Sequence, residues 1–134
     1  MIAWRQSQLQ SVNQITESGK NVGDLLNAKG ITWGWFQGGF VPTGVDIQGR
    51  AVCGQHHASL AGDDAIVNAG DYIPHHEPFM YYSQTTNMHH TRPSDPMLIG
   101  TSNDGANHQY DLTDFFTALN EGRLPTVSYV KAGA

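Results

Sequence analysis

The chemistry this sequence can perform is concentrated in its histidines, seven in 134 residues. Six fall in three doublets, His56-His57, His75-His76 and His89-His90, and His108 stands alone. An imidazole titrates near neutral pH, so a placed one can donate to a phosphoryl oxygen or protonate a leaving group. Adjacent residues point in different directions on a strand or helix. A doublet is therefore expected to offer one ring to a site and to use the other for packing or solvent. The plain alternative for each is a hydrogen-bonded loop histidine. Asp63-Asp64 could serve as a metal-binding pair, but its setting, Ala61-Gly62-Asp63-Asp64-Ala65, reads as a solvated loop. His76-Glu77 begins like a zinc-binding H-E-x-x-H helix, yet the second His would fall at Met80, and Pro78 would sit inside the helix. No P-loop, dinucleotide glycine fingerprint or G-x-S-x-G elbow is present.

Two helices are predicted to flank these residues. Asn21 to Lys29 places Val22, Leu25 and Leu26 at i, i+3 and i+4, with Gly30 suited to end it. The second starts at Asp111 as N-cap, with Asp114 in its first turn. Leu112, Phe115, Phe116 and Leu119 follow the same spacing, and Gly122 and Pro125 stop it. Each helix leads into a strand-like run, Ile31 to Gln37 and Thr126 to Val130. A helix–strand unit that occurs twice predicts an α/β fold with a mostly parallel sheet. A short helix is expected around Glu77 to Ser83, and Met97 to Gly100 reads as a short strand or a core-contacting loop. Residues 38–74 and 84–107 read as long loops, and two of these in one short chain argue against a complete, independent fold.

Composition narrows the partners. The chain fits one domain at most. Charged residues are 14% and the formal net charge is −5, with no basic stripe, so no nucleic-acid partner is expected. No apolar run approaches a membrane span, and residues 1–17 lack the apolar core of a signal peptide. Cys53 has no second cysteine to pair with; it is a buried thiol or the half of a disulfide with a partner elsewhere.

Several long segments resemble one family in order and spacing: residues 21–40 (NVGDLLNAKGITWGWFQGGF), 51–54 (AVCG), 71–82 (DYIPHHEPFMYY), 106–116 (ANHQYDLTDFF) and 124–132 (LPTVSYVKA). Together they resemble the bacterial phosphoesterases of non-haemolytic phospholipase C and acid phosphatase type, within the alkaline-phosphatase-like superfamily. The resemblance covers about Ser18 to Ala134. Residues 1–17 do not look like the family and are expected to be a disordered N-terminal segment.

The resemblance implies part of an α/β/α sandwich and a secreted or periplasmic hydrolase of phosphate esters or phospholipid head groups. In the family a Ser or Thr hydroxyl attacks phosphorus beside a divalent metal ion, and histidines contact the phosphoryl oxygens. Positioning and charge stabilisation carry such chemistry. Carried over residue by residue, the phosphate-contacting role falls on His76, with His75 as its close alternative and His108 as a weaker candidate. The family's nucleophile and metal ligands have no match in this sequence, and Asp63-Asp64 does not fit the context of its metal pair. Residues 18–134 are thus expected to be the central portion of a catalytic domain. That portion would be inactive alone, would hold no metal itself, and would depend on the rest of the domain or a partner chain for stability.

Two other readings compete. His56, His76 and His90 could hold zinc as a metal-binding module. Trp33, Trp35, Phe36 and Phe40 could form an aromatic wall for a glycan or lipid head group; the plain alternative is that Trp33 and Trp35 pack on one face of a buried strand.

Overall fold

In a computed structural model, residues 17–55 and 70–133 are described. His56-His57, Asp63-Asp64 and residues 1–16 of the segment 1–17 expected to be disordered lie outside them, while Glu17 N donates to the Tyr81 carbonyl (2.7 Å). The first helix, α1, spans Val22–Ala28. Its N-terminus is closed reciprocally: the Asn21 side chain accepts from Asp24 N, and the Asp24 carboxylate accepts from Asn21 N. Gly30, at φ +65°, reverses the chain after its last turn. The packing face differs from the one predicted. Val22 and Leu25 are exposed, and the helix approaches the sheet through Gly23. The Trp33 ring lies where a Cβ on Gly23 would be, so contact with a large indole selects the smallest residue rather than the apolar stripe.

Strand β1 (Trp33–Gln37) is the centre of the fold. A two-residue ribbon, β2 (Gly44–Val45) with β3 (Ala51–Val52), follows within the first predicted loop. Next come β4 (Gln109–Asp111), helix α2 (Leu112–Asn120) and β5 (Val127–Lys131). Strands β4 and β5 both pair with β1 in parallel, giving the order β4-β1-β5. The α/β architecture with a mostly parallel sheet is as predicted. Strand β4 was not, because it is three residues long and its last residue doubles as the cap of α2.

Helix α2 has the predicted start. Asp111 accepts from Thr113 N, and Asp114 accepts from Asp111 N. Its inward face is again rotated. Asp114 and Ala118 are buried, whereas Phe116 and Leu119 are exposed. Phe115 meets Phe36 edge-on, and Asp114 faces inward because Arg92 pairs with it.

Each face of β1 builds its own cluster. On one side Phe36 packs with Tyr110, Ile99, Ala106 and Ala118. On the other, Trp33 and Trp35 both contact Phe79, with ring centroids 4.6 and 5.9 Å away. Burying each large apolar side chain contributes roughly 1.5–3 kcal/mol. Trp33, Phe36 and Phe40 are completely buried, so they are core and not a ligand-facing wall.

Residues 74–107 are held by turns and side-chain hydrogen bonds. The expected helix at 77–83 is two 3-10 turns, Pro74–His76 and Pro78–Tyr81, separated by an extended Glu77 (φ −106°, ψ 96°). Pro78 accounts for the break, since a residue before proline is driven out of the helical region. Residues 97–100 form the core-contacting alternative. A 3-10 turn, Pro96–Leu98, leads to Gly100, whose carbonyl accepts from Trp33 N (3.0 Å) and whose N donates to the Tyr110 hydroxyl (2.8 Å). Side-chain amides tie 84–107 down: Asn87 Nδ2 donates to the carbonyls of Thr91 and Ala106, and Gln109 Nε2 to that of Thr85.

Where β1 ends, Gly39 adopts φ +75°, and a Cβ there would come 2.6 Å from Tyr72 N. Left-handed strain and overpacking act together at this position. Gly39→Ala is expected to lower unfolding free energy by about 2 kcal/mol or more, read from urea denaturation of the 134-residue chain.

Candidate functional site at the strand ends

In an open parallel sheet, ligands bind beyond the carboxyl ends of the strands, where the connecting loops diverge. Here those ends are Gln37, Asp111 and Lys131, with Gln37 and Lys131 opposite one another in register. The loop carrying His75 and His76 is anchored at this edge, because Gln37 Nε2 donates to the Ile73 carbonyl (3.0 Å). Both histidines are exposed, and their rings meet edge-on with centroids 4.4 Å apart. Desolvation, then the nearby His75, then Lys131 lower the pKa of His76 below its ordinary value. Three cationic or potentially cationic groups thus share one spot at the ends of β1 and β5, a setting that favours an anion.

His108 is elsewhere. It precedes β4, is buried, and stacks on Trp33 with centroids 4.2 Å apart. Its Nδ1 lies 2.9 Å from the Trp33 carbonyl, which can only accept, so Nδ1 carries the proton. Trp33 begins β1 and Gln37 ends it, so the length of the strand, roughly 13 Å, lies between. The structure brings His75 and His76 together and holds His108 at the opposite end of the sheet. His108 also sits at φ +66° with Asn107 beside it at +50°, backbone strain that its stacking and hydrogen bonds hold in place.

Beneath the exposed pair lies a buried polar group that the sequence reading missed. Glu77 is fully buried; its Oε2 accepts from the Tyr72 hydroxyl (3.0 Å), and its Oε1 has no hydrogen-bond partner among the described residues. Burial pushes its pKa up to about 8, partly offset by the Tyr72 bond, so it is a neutral acid at pH 7. His90 stacks on Phe40 and donates from Nδ1 to the Phe40 carbonyl (2.7 Å). Its doublet partner His89 is exposed, so the two adjacent rings point apart. Cys53 lies 3.2 Å from His90 Nδ1. Burial first, then Glu77 and Asp111, push its thiol up to about 12. It is therefore a protonated thiol rather than a nucleophile. The signal for this group was a glutamate next to proline and a glutamine closing an aromatic strand, neither of which carries a recognised motif.

Among the described residues, no three His, Cys, Asp or Glu side chains gather where they could hold a metal ion. His76 is exposed at the strand ends, while His90 is buried with Nδ1 committed to a carbonyl. A shared zinc site does not fit these two, and the described residues do not form a cradle for the divalent ion that the family resemblance implies.

The buried acid sets a pH signature. Between about 4.5, its ordinary value, and about 8, the folded protein keeps a proton on Glu77 that the unfolded chain releases. This contribution to stability is full below pH 4.5 and is lost as pH rises to 8. The histidines with lowered pKa act in the opposite sense, so the difference between two chains is the readout. Relative to Glu77→Gln, the wild-type urea midpoint should fall steadily from pH 5 to pH 8.

The model of the phosphoesterase family matches residues 5–134. No curated protein matches the chain. No helix among the described residues is long and apolar enough to cross a membrane. With parallel strands, glycine turns and an exposed histidine pair at their carboxyl ends, and with a family match over nearly all its length, this chain belongs to the phosphoesterase family.

Proposed function

We propose that the chain supplies the phosphate-contacting part of a phosphoric ester hydrolase of phospholipase C or acid phosphatase type. Membership of the family gives phosphate esters as the substrate class. The observation that carries the finer reading is the exposed His75–His76 pair beside Lys131 at the carboxyl ends of parallel strands. In this reading His76 contacts a phosphoryl oxygen, and His75 stands next to it as a second donor. His108 has a packing role under β1, since both its stack and its Nδ1 bond are internal.

The nucleophilic hydroxyl and the divalent metal that the family resemblance calls for are assigned to chain other than the described residues. We accordingly propose that these 134 residues alone bind phosphate esters without turning them over, and that they gain stability from further parts of the catalytic domain or a partner chain. Secretion or a periplasmic location follows from the same resemblance.

A dianion beside His76 raises the affinity of the ring for a proton, so anion binding and protonation reinforce one another. Inorganic phosphate should therefore bind more tightly as pH falls through the titration of His76. His76→Ala should weaken binding about tenfold, the worth of one charge-assisted hydrogen bond. Comparing the two chains at each pH cancels the titration of phosphate itself. The same preparation, given p-nitrophenyl phosphate with and without divalent metal, should show no turnover. Metal-dependent turnover that His76→Ala abolishes would overturn the assignment of the missing groups, and phosphate binding indifferent to His76→Ala would overturn the site.

A further inference from the structure

The turn that carries His75 and His76 is held by side chains on both sides. Upstream, Trp35 Nε1 donates to Gln37 Oε1 (3.1 Å), which fixes the amide so that Gln37 Nε2 faces the Ile73 carbonyl. Downstream, the Tyr72 hydroxyl donates to Glu77 Oε2, closing a bridge across Ile73, Pro74, His75 and His76. Inside the bridge, His76 N donates to the Ile73 carbonyl (3.0 Å) and Glu77 N to that of Pro74 (3.1 Å). The extended backbone at Glu77 turns its side chain into the interior, while the two histidines before it stay exposed.

The chemistry of the bridge is unusual for a structural prop. Glu77 is fully buried, and one of its oxygens has no partner among the described residues. Around it stand the Tyr72 hydroxyl and the Cys53 thiol, with Tyr81 acting on Tyr72, Asp111 on Cys53, and the His90 ring, whose pKa burial lowers, against both Tyr72 and Cys53. No cation among them offsets a charge. A methionine would fill a similar volume with no buried polar atom to satisfy, and such replacements are often neutral or stabilising. What an apolar side chain cannot do is hold the Tyr72 hydroxyl at a set distance and direction.

We propose that Glu77, through Tyr72, is a positioning residue that fixes the turn aiming His75 and His76 at a phosphoryl group. It touches no substrate and acts through the backbone of residues 73–77. The inference rests on the reading of His75 and His76 given above. The neutral acid at position 77 makes glutamine a close mimic: Glu77→Gln keeps an acceptor for Tyr72, whereas Glu77→Met and Tyr72→Phe each remove the bond.

The test uses the 134-residue chain, with NMR of the histidine ring protons during a pH titration and an inorganic phosphate titration. In the wild type, desolvation first, then His75 and Lys131, lower the pKa of His76 from its ordinary value of 6.5. With the turn released in Tyr72→Phe or Glu77→Met, its titration should return toward 6.5 and phosphate should bind at least about fivefold more weakly, while Glu77→Gln stays near wild type in both. A lowered melting temperature in Tyr72→Phe and Glu77→Met, with His76 titration and phosphate binding unchanged, would overturn the proposal and leave Glu77 a structural residue. Tyr72→Phe removes a single oxygen and carries the test if Glu77→Met does not fold. If phosphate fails to bind the wild type while the His76 titration still moves in Tyr72→Phe, the functional reading falls and the positioning role stands.

Discussion

The burial of β1 on both faces governs this structure. A strand with parallel neighbours on either side must be covered above and below, and these five residues solve that with different materials. Phe36 meets the aromatic and aliphatic side chains of β4 and α2. Trp33 and Trp35 meet Phe79, and Trp33 also stacks on His108. Gly34, between them, leaves room for the rings of Phe36 and Tyr110. The indole N–H groups need partners once buried, and they find Asn27 Oδ1 and Gln37 Oε1. The second of these bonds begins the chain of contacts that reaches the histidine turn, so the packing of the centre and the geometry of the strand ends are one problem.

A loop as long as 84–107 usually carries mobile backbone, yet here it is held by side-chain amides bonding to main chain. Asn87, Asn107 and Gln109 together satisfy carbonyls of Gln84, Thr85, Thr86, Thr91 and Ala106. Each such bond contributes modestly, but leaving the buried carbonyl unpaired would cost more. This is how a protein with few helices fixes a site carried on turns.

The elements with strong local signals were legible in the sequence. Capping residues and stop signals placed α1 and α2 within a residue or two, and β-branched and aromatic runs placed β1 and β5. The inward faces of the helices were not legible, because Gly23 under Trp33 and Asp114 paired with Arg92 are decided by tertiary contact, not by apolar spacing. Strand β4 escaped for a related reason: Gln109 is completely buried, and a polar residue carries no strand signal. At the site, the resemblance singled out His75 and His76, and the structure places them side by side at the strand ends. Position along β1 sets His108 apart from them, which no local pattern could have revealed. Glu77, Tyr72 and Gln37 act through bonds between separate segments and leave no spacing to read.

The strand order has a bearing on how the chain is made. Strand β1 pairs with segments some 74 and 94 residues further along. During synthesis at about 5–20 residues per second, Trp33, Trp35 and Phe36 emerge about 5–20 s before β5. Until β4 emerges, for roughly the first three quarters of that interval, the most aromatic of the described strands has neither of its hydrogen-bonding neighbours. Its backbone and rings are then open to whatever else binds extended apolar chain, so the hazard of mispairing falls on the strand made first.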